Sequence, residues 1–417
     1  MILASSPNLP IDFVRSQFPA LDGYSTFMDN AGGTQMLQSV INRVVDYWLG
    51  SNVQLGGNYA VSLKASDRFY AAVEDLAELI QAPDPRCLVF GGSASLLLRI
   101  LAHSLGQRWQ PGDEVIVTNS DHEANISPWM DLQSQGIVVK TWPIDLNTFS
   151  LNLKDLEPLI SDRTRLIAFG HASNVLGSIN PLSEIVQFAH DRQIKVCVDG
   201  VAYAPHRRLL VQDWDVDFYV FNFYKVFGTR QAILFGQLES LEALPRFNHY
   251  FIDSVPDKFH PGGVSYDLTY GNLGFCDYLE ELGSQLGLVG KPFQDIITDC
   301  FQVIGEYEQD LAQRLIDGLG HIPEITLVGL PHAALESRVP TIAFTINQQS
   351  PAALTEALAK ANIGVRHGHF YAQRLIQSLD LTDQGGVVRV SLAHYNTVPE
   401  IEALIEVLTR ASSQPPA

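Results

Sequence analysis

The sequence predicts an α/β protein: a large domain on a mostly parallel seven-stranded sheet, followed by a smaller α+β domain. Three observations carry this. The middle of the chain alternates short β-branched apolar runs with helical patterns, as strand–helix–strand crossovers do. Several of those runs are apolar at every position, as parallel strands covered on both faces should be. Beyond residue 270 or so the alternation gives way to blocks of helix and strand.

In chain order, Ile11–Phe18 is a short helix candidate and Ser66–Ile80 a longer one. The strands are predicted at Cys87–Phe90, Glu114–Thr118, Ile137–Trp142, Leu166–His171, Lys195–Asp199, Phe218–Asn222 and Ala232–Phe235, with helices at Ser95–Leu105 and Pro181–His190 among them. Lys291–Leu319 reads as a long amphipathic helix. Strands at Ile325–Val328, Thr341–Ile346 and Gly386–Leu392 follow, with helices at Ala352–Ala361 and Pro399–Arg410. The expected division is an N-terminal segment, 1–25, packing with the small domain, then a large domain over 26–290 and a small one over 291–417. A cleft between two such domains is the default place for a small-molecule site. Ser412–Ala417 reads as a frayed tail.

Composition narrows the function. The 417 residues exceed the ~100–200 of one domain and can bury a sizeable core without disulfides. A net charge of −19 argues against a partner that presents a phosphate backbone, so no nucleic acid, and against anionic membrane. No run of ~18 apolar residues suggests a membrane span. Met1–Pro10 lacks the basic-then-apolar pattern of a secretory signal. The cysteines, Cys87, Cys197, Cys276 and Cys300, are scattered without metal spacing. They read as small buried hydrophobes in a reducing, cytoplasmic setting.

Five places could carry chemistry. Lys225 follows the apolar run VDFYVFNFY; it is either a solvated loop lysine or a buried amine with a depressed pKa suited to Schiff-base work. Asp199 ends the strand KVCVD at the carboxyl edge, where open α/β sheets bind ligands. It is a cap, an ordinary salt-bridge partner, or the counter-charge to a pyridinium nitrogen. FGGSAS, ending in Ser93, Ala94 and Ser95, turns from strand into helix and offers free N–H groups to phosphate. It matches neither GxGxxG nor a P-loop. His122 in DHEANISPW would lie at the same sheet edge and could stack on a planar ring; metal ligation competes, without a partner at ligand spacing. His367 and His369 share a face if extended, but no third ligand is evident, so no metal is expected. Arg389, in the strand VVRVS, needs a carboxylate, from a substrate or from within the fold.

Together these pieces resemble the class V aminotransferase family of pyridoxal-phosphate enzymes, and within it the cysteine desulfurase-like group. The resemblance runs in order through FMDNAGGTQ (Phe27–Gln35), FGGSAS, DHEANISPW, HASNVLG (His171–Gly177), VDG, FYVFNFYK, GVRHGH (Gly364–His369) and RVSLAHYNT (Arg389–Thr397). It implies the fold-type-I transferase architecture and pyridoxal 5'-phosphate as cofactor. It implies Lys225 as Schiff-base lysine and base at Cα, Asp199 as pyridinium partner and His122 as ring-stacking residue. Ser93, Ala94 and Ser95 would form the phosphate turn, joined by Asn222 and Tyr224. Asn174 would lie against the cofactor's phenolic oxygen or the substrate, and Arg389 would clamp the substrate carboxylate. Tyr59, His369 and Tyr371 would face the substrate side chain. A homodimer with sites at the interface is implied, with Pro261–Ser265, including Gly263, reaching a neighbour's phosphate.

Departures from the pattern shape the expected reaction. The loop position where desulfurases carry a persulfide-forming cysteine falls on Tyr371, and no cysteine follows Cys300. Ala202 stands where many members have glutamine. Asn222 and Tyr224 replace a serine and a histidine before the lysine, and Gly263 replaces a threonine. The reaction expected is β-elimination of C–S lyase type on cysteine, cystine or a related β-substituted amino acid. The alternatives are desulfuration or selenocysteine lysis with another acceptor, transamination, epimerisation, or a catalytically weak protein that only binds the cofactor.

Overall fold

The computed structural model describes residues 9–23, 25–347 and 349–412. The expected frayed tail lies, apart from Ser412, outside the described residues, as does most of Met1–Pro10. The central sheet has seven strands, in the order Leu88–Gly91, Ala232–Gly236, Phe218–Asn222, Lys195–Asp199, Thr164–Gly170, Glu114–Thr118, Val138–Trp142. Only Ala232–Gly236 runs against the rest. The other six strands therefore end at one edge. Alternate residues along each strand feed two cores: Val196 and Val198 pack into one, Cys197 into the other. That is why these runs are apolar throughout rather than alternating.

One core lies under the helix Ala94–Gly106; the other lies under Ala60–Leu79, Tyr266–Gln285 and Phe293–Gly320. Two long helices, Gln38–Gly50 and Tyr266–Gln285, and shorter ones such as Leu238–Ala243 and Gln373–Ser378, were not expected from the sequence. The second long helix carries Gly271, Gly274 and Gly283, which lower helix propensity. Packing explains two of them: a Cβ on Gly274 would lie 2.3 Å from Val40 N, and one on Gly271 would lie 2.3 Å from Val44 Cγ2. The backbones of the two helices approach where only glycine fits.

A second, antiparallel sheet joins Arg366–Gly368, Val387–Ser391, Thr341–Ile346 and Ile325–Val328 in that order. The short strand Thr26–Phe27 pairs parallel with Ile363–Gly364. The first helix, Ile11–Ser16, docks on the last part of the chain: Arg15 Nη1 donates to Tyr395 O (2.6 Å) and to Glu400 (3.0 Å). Phe18 sets its ring edge-on to Tyr395, 4.8 Å away. Among the described residues no helix is long and apolar enough to cross a membrane.

Candidate active site

The common strand edge opens into a small, partly enclosed pocket. Ala94, Ser95, His122, Asn174, Asp199, Asn222, Tyr224 and Lys225 line it. Residues far apart in sequence meet because each follows a strand that ends there. Asp121, Ala124, Gly170, Ala172, Ser173, Val201 and Ala202 complete the wall.

Lys225 closes a single 3-10 turn directly after Phe218–Asn222 and is buried. Burial, and secondarily the Arg389 guanidinium, pulls its amine down to about 8, against the attraction of Asp199 and Asp29. Asp199 is buried, and burial pushes its carboxyl above the ordinary range. Oδ1 accepts from Val201 N at 2.9 Å. Behind it His171 stacks on Tyr203 with ring centroids 3.6 Å apart, and His171 Nδ1 meets Tyr219 Oη at 3.0 Å. Gly200 is required beside this wall, since a Cβ there would lie 2.1 Å from the Tyr219 ring.

His122 caps the turn Glu123–Asn125: its Nδ1 accepts from Ala124 N at 3.0 Å, which places the ring proton on Nε2. Burial, then Lys225, lowers its pKa to about 4, so the ring is neutral at pH 7. Ser93 caps the helix Ala94–Gly106 through Leu96 N. Asn222 Oδ1 accepts from Ala94 N at 2.9 Å, leaving its Nδ2 as the remaining donor. Tyr224 is half-buried and borders a neighbouring groove with Arg230, whose guanidinium carbon lies 5.4 Å from the Tyr224 ring centroid.

Arg389 is buried in Val387–Ser391 and has partners within the fold. Nη2 binds Asp29 Oδ1 at 2.6 Å, Nη1 donates to Asn174 O at 2.9 Å, and the guanidinium lies 3.9 Å from the Phe370 ring centroid. Nε is buried without a partner among the described residues. The internal salt bridge left open by the sequence is therefore present, yet Arg389 remains close enough to depress both Lys225 and His122. One Asn174 amide N–H is committed to Phe370 O at 2.9 Å, so only the other can reach a ligand.

Six expected residues, Ser93, Arg389, Tyr59, Gly263, His369 and Tyr371, are not among those lining the pocket. Tyr59 precedes the helix Ala60–Leu79 and is 54% exposed. Gly263 is exposed in a separate groove with Tyr70, Phe251 and His260. His369 is exposed, its Nδ1 accepting from Tyr371 N at 3.1 Å. Tyr371, 63% exposed, brings its ring centroid 5.2 Å from that of His122. Phe370 and Tyr371 are consecutive non-glycine residues in the left-handed region (φ 50° and 61°), a conformation costing about 1–2 kcal/mol per residue. His367 is tied to Thr355 Oγ1 (2.8 Å), and no cluster of three or more metal-ligating side chains occurs among the described residues.

Two contributors were missed in the sequence. Asp121 immediately precedes His122 and is buried, with its carboxyl pushed up to about 7 by burial and by Asp199. Asp29 lies in FMDNAGGTQ, a motif quoted without a role for its acid; it bridges Arg389 and Arg366 (3.4 Å). An acid flanked by a histidine or an apolar run was the available signal in each case.

A mostly parallel sheet with a buried lysine and carboxylate facing one another across its carboxyl edge is the architecture of the pyridoxal-phosphate-dependent transferases. The chain belongs to the class-V aminotransferase family, which matches residues 26–281 and 298–404. An aminotransferase-like protein of Gibberella zeae is 38% identical over 97% of this chain and 99% of its own. A probable cysteine desulfurase of Synechocystis is 30% identical over 98% and 97%. Among solved structures, the cysteine desulfurase CsdA from Escherichia coli superimposes with a TM-score of 0.80 at 26% identity, covering 96% of this chain and 98% of that one.

The residues present fit the family's cofactor. A buried amine and a buried carboxylate with one hydrogen bond to the protein border the same space. A helix N-terminus lines one side of it and a neutral imidazole another.

Proposed function

We propose that this chain is a pyridoxal-phosphate enzyme that carries out β-elimination on cysteine, cystine or a related β-substituted amino acid. The observation that carries the reading is Lys225, a buried amine held near neutrality opposite Asp199 in one pocket. The cofactor, when bound, withdraws electrons from the substrate's Cα. Lys225 would hold it, Asp199 would face its ring nitrogen, and His122 would cover its ring. The N-terminus of Ala94–Gly106, with Asn222, would take its phosphate.

The chain's own residues account for the rest. Lys225 Nζ, pulled down to about 8, can take the Cα proton near neutral pH. Arg389 would orient the substrate carboxylate, exchanging part of its bond to Asp29 for the ligand. Neutral His122 leaves no second cation over the ring.

The choice of elimination rests on thiols. Tyr371 occupies the loop, and a phenol cannot accept sulfur from the substrate. All four cysteines are buried, with burial pushing Cys87 to about 11, Cys300 to about 12, and Cys197 and Cys276 higher still. No described thiol can serve as a persulfide carrier in the site. A transamination reading is favoured by one observation, the 38% identical aminotransferase-like relative.

We place the large domain at 26–290 and the small one at 291–417, with 1–25 packed on the latter, supported by the Arg15–Glu400 bond. A homodimer is supported by exposed Trp48, Leu49, Tyr250 and Phe251 and by Gly263 lying away from its own pocket. The four free cysteines support a reducing, cytoplasmic setting.

Product analysis tests the reaction. The cofactor-loaded protein given L-cysteine, then L-cystine, is expected to form pyruvate and ammonia, read by mass spectrometry. Alanine with released sulfur would show desulfuration without a loop cysteine and overturn the elimination reading.

A further inference from the structure

We propose that Glu123 and Arg374 are positioning residues that hold Tyr371 across the mouth of the pocket, and that this ring selects substrates whose β-substituent is S-linked and capped by an apolar group. The second half rests on the elimination reading above; the first stands on geometry alone.

The mouth is fastened from two sides. Glu123 N donates to Tyr371 O at 2.8 Å, and Arg374 Nε pairs with Glu123 Oε1 at 2.8 Å. The other carboxylate oxygen, Oε2, accepts from Ser127 Oγ at 2.7 Å, so Glu123 is held from the following helical turn, Ser127–Met130, as well. On the far side Asn174 Nδ2 holds Phe370 O, the residue before Tyr371. Asn119 Nδ2 donates to Ser378 Oγ at 2.9 Å, anchoring the end of the helix that carries Arg374. The left-handed backbone of Phe370 and Tyr371 persists only because such contacts over-determine it.

The consequence falls on Tyr371. Its ring is not packed in a core; it is exposed, tilted 36° to His122 and edge-on to His369 with centroids 6.2 Å apart. The Tyr371 ring thus lies between those of His122, which lines the pocket, and His369, forming an aromatic rim beside it. Such a rim favours soft and apolar groups: sulfur against ring edges and a hydrocarbon cap against ring faces. Among the described residues it offers no cysteine to a free thiol. The Glu123–Arg374 pair is partly exposed, with side chains 28% and 35% accessible, so its hold is modest and weakened by salt.

The experiment compares the full-length, cofactor-loaded protein with Arg374→Gln, Glu123→Gln and the charge-swapped double variant Glu123→Arg/Arg374→Glu. The probes are S-benzyl-L-cysteine and L-cysteine. Amide exchange across residues 119–127 and 364–379 should quicken about 3- to 10-fold in each single variant, recover in part in the swap, and converge with wild type in concentrated salt. KM for S-benzyl-L-cysteine should rise several-fold with kcat within about twofold, while L-cysteine changes little. Unchanged exchange in both single variants overturns the positioning role. Faster exchange with equal effects on the two substrates overturns the selectivity. Should no amino acid be turned over, the elimination reading falls by itself, and exchange still decides whether the pair holds the loop.

Discussion

The inner wall of the pocket and its mouth are built on different terms. Lys225 and Asp199 are buried and His122 is half-buried, at or just past the ends of strands, each placed by the sheet and each with a pKa moved by burial. Tyr371 and His369 are exposed, on a loop held by a few hydrogen bonds and one partly exposed ion pair. The wall presents a buried amine, a buried carboxylate and a neutral imidazole in one pocket. The mouth carries Tyr371, the residue that the resemblance sets where desulfurases have their cysteine. Such a division lets reaction outcome change at the rim without cost to the fold, because rim residues carry little packing energy.

The largest effect should come from the wall. Lys225→Ala removes both the anchoring amine and the proton acceptor, so turnover should fall by at least about 10³-fold. Borohydride treatment followed by peptide mass mapping should find cofactor fixed on the Lys225 peptide of wild type and on none in the variant. Cofactor fixed elsewhere, or turnover retained, would remove the wall from the chemistry.

How much of this contrast the sequence revealed follows from where each residue sits. The wall was legible because a polar residue at the end of an apolar strand is conspicuous: Asp199 after KVCV, Lys225 after FYVFNFY. Strand ends also converge by topology, so their meeting needed no side-chain detail. The strands Glu114–Thr118, Lys195–Asp199 and Phe218–Asn222 have the expected limits. The mouth was less legible. Nothing in GVRHGHFYAQR shows that Arg374 reaches Glu123 across 251 positions, or that Phe370 and Tyr371 adopt left-handed backbone. The placement of Tyr59 away from the pocket was equally hidden, since it depends on where a helix begins. The helix Tyr266–Gln285 escaped for a related reason: its glycines serve a tertiary contact and obscure the local signal.

Asp199→Asn should cost less than loss of the lysine, about 10²-fold in kcat, because the amide keeps the shape and loses the charge. Its KM should move little, which separates a loss at the reacting centre from a loss of substrate binding. An equal loss in Lys225→Ala and Asp199→Asn would make the wall one indivisible unit; a negligible loss in Asp199→Asn would remove the carboxylate from catalysis.

The smallest effect concerns stability and separates Asp121 from its neighbours. Its carboxyl is pushed from an ordinary 3.8 up to about 7, first by burial and also by Asp199, while bonds from Thr118 and Asn125 pull the other way. A raised folded pKa means that the folded state binds the proton more tightly than the unfolded chain. The stabilisation this supplies is complete below the unfolded value near 3.8 and is lost as pH rises through about 7. The protein should therefore lose melting temperature as pH rises from about 4 to about 7, and Asp121→Asn should lessen that loss by about 2–5 °C. Asparagine can still accept from Asn125 Nδ2, which now reaches Asp121 Oδ2 at 2.9 Å, so the variant removes the titration and keeps the bond. The measurement is melting temperature against pH for the two proteins side by side. Parallel curves would mean that Asp121 stays charged in the fold, and the inner wall would then carry two buried anions beside the lysine rather than one.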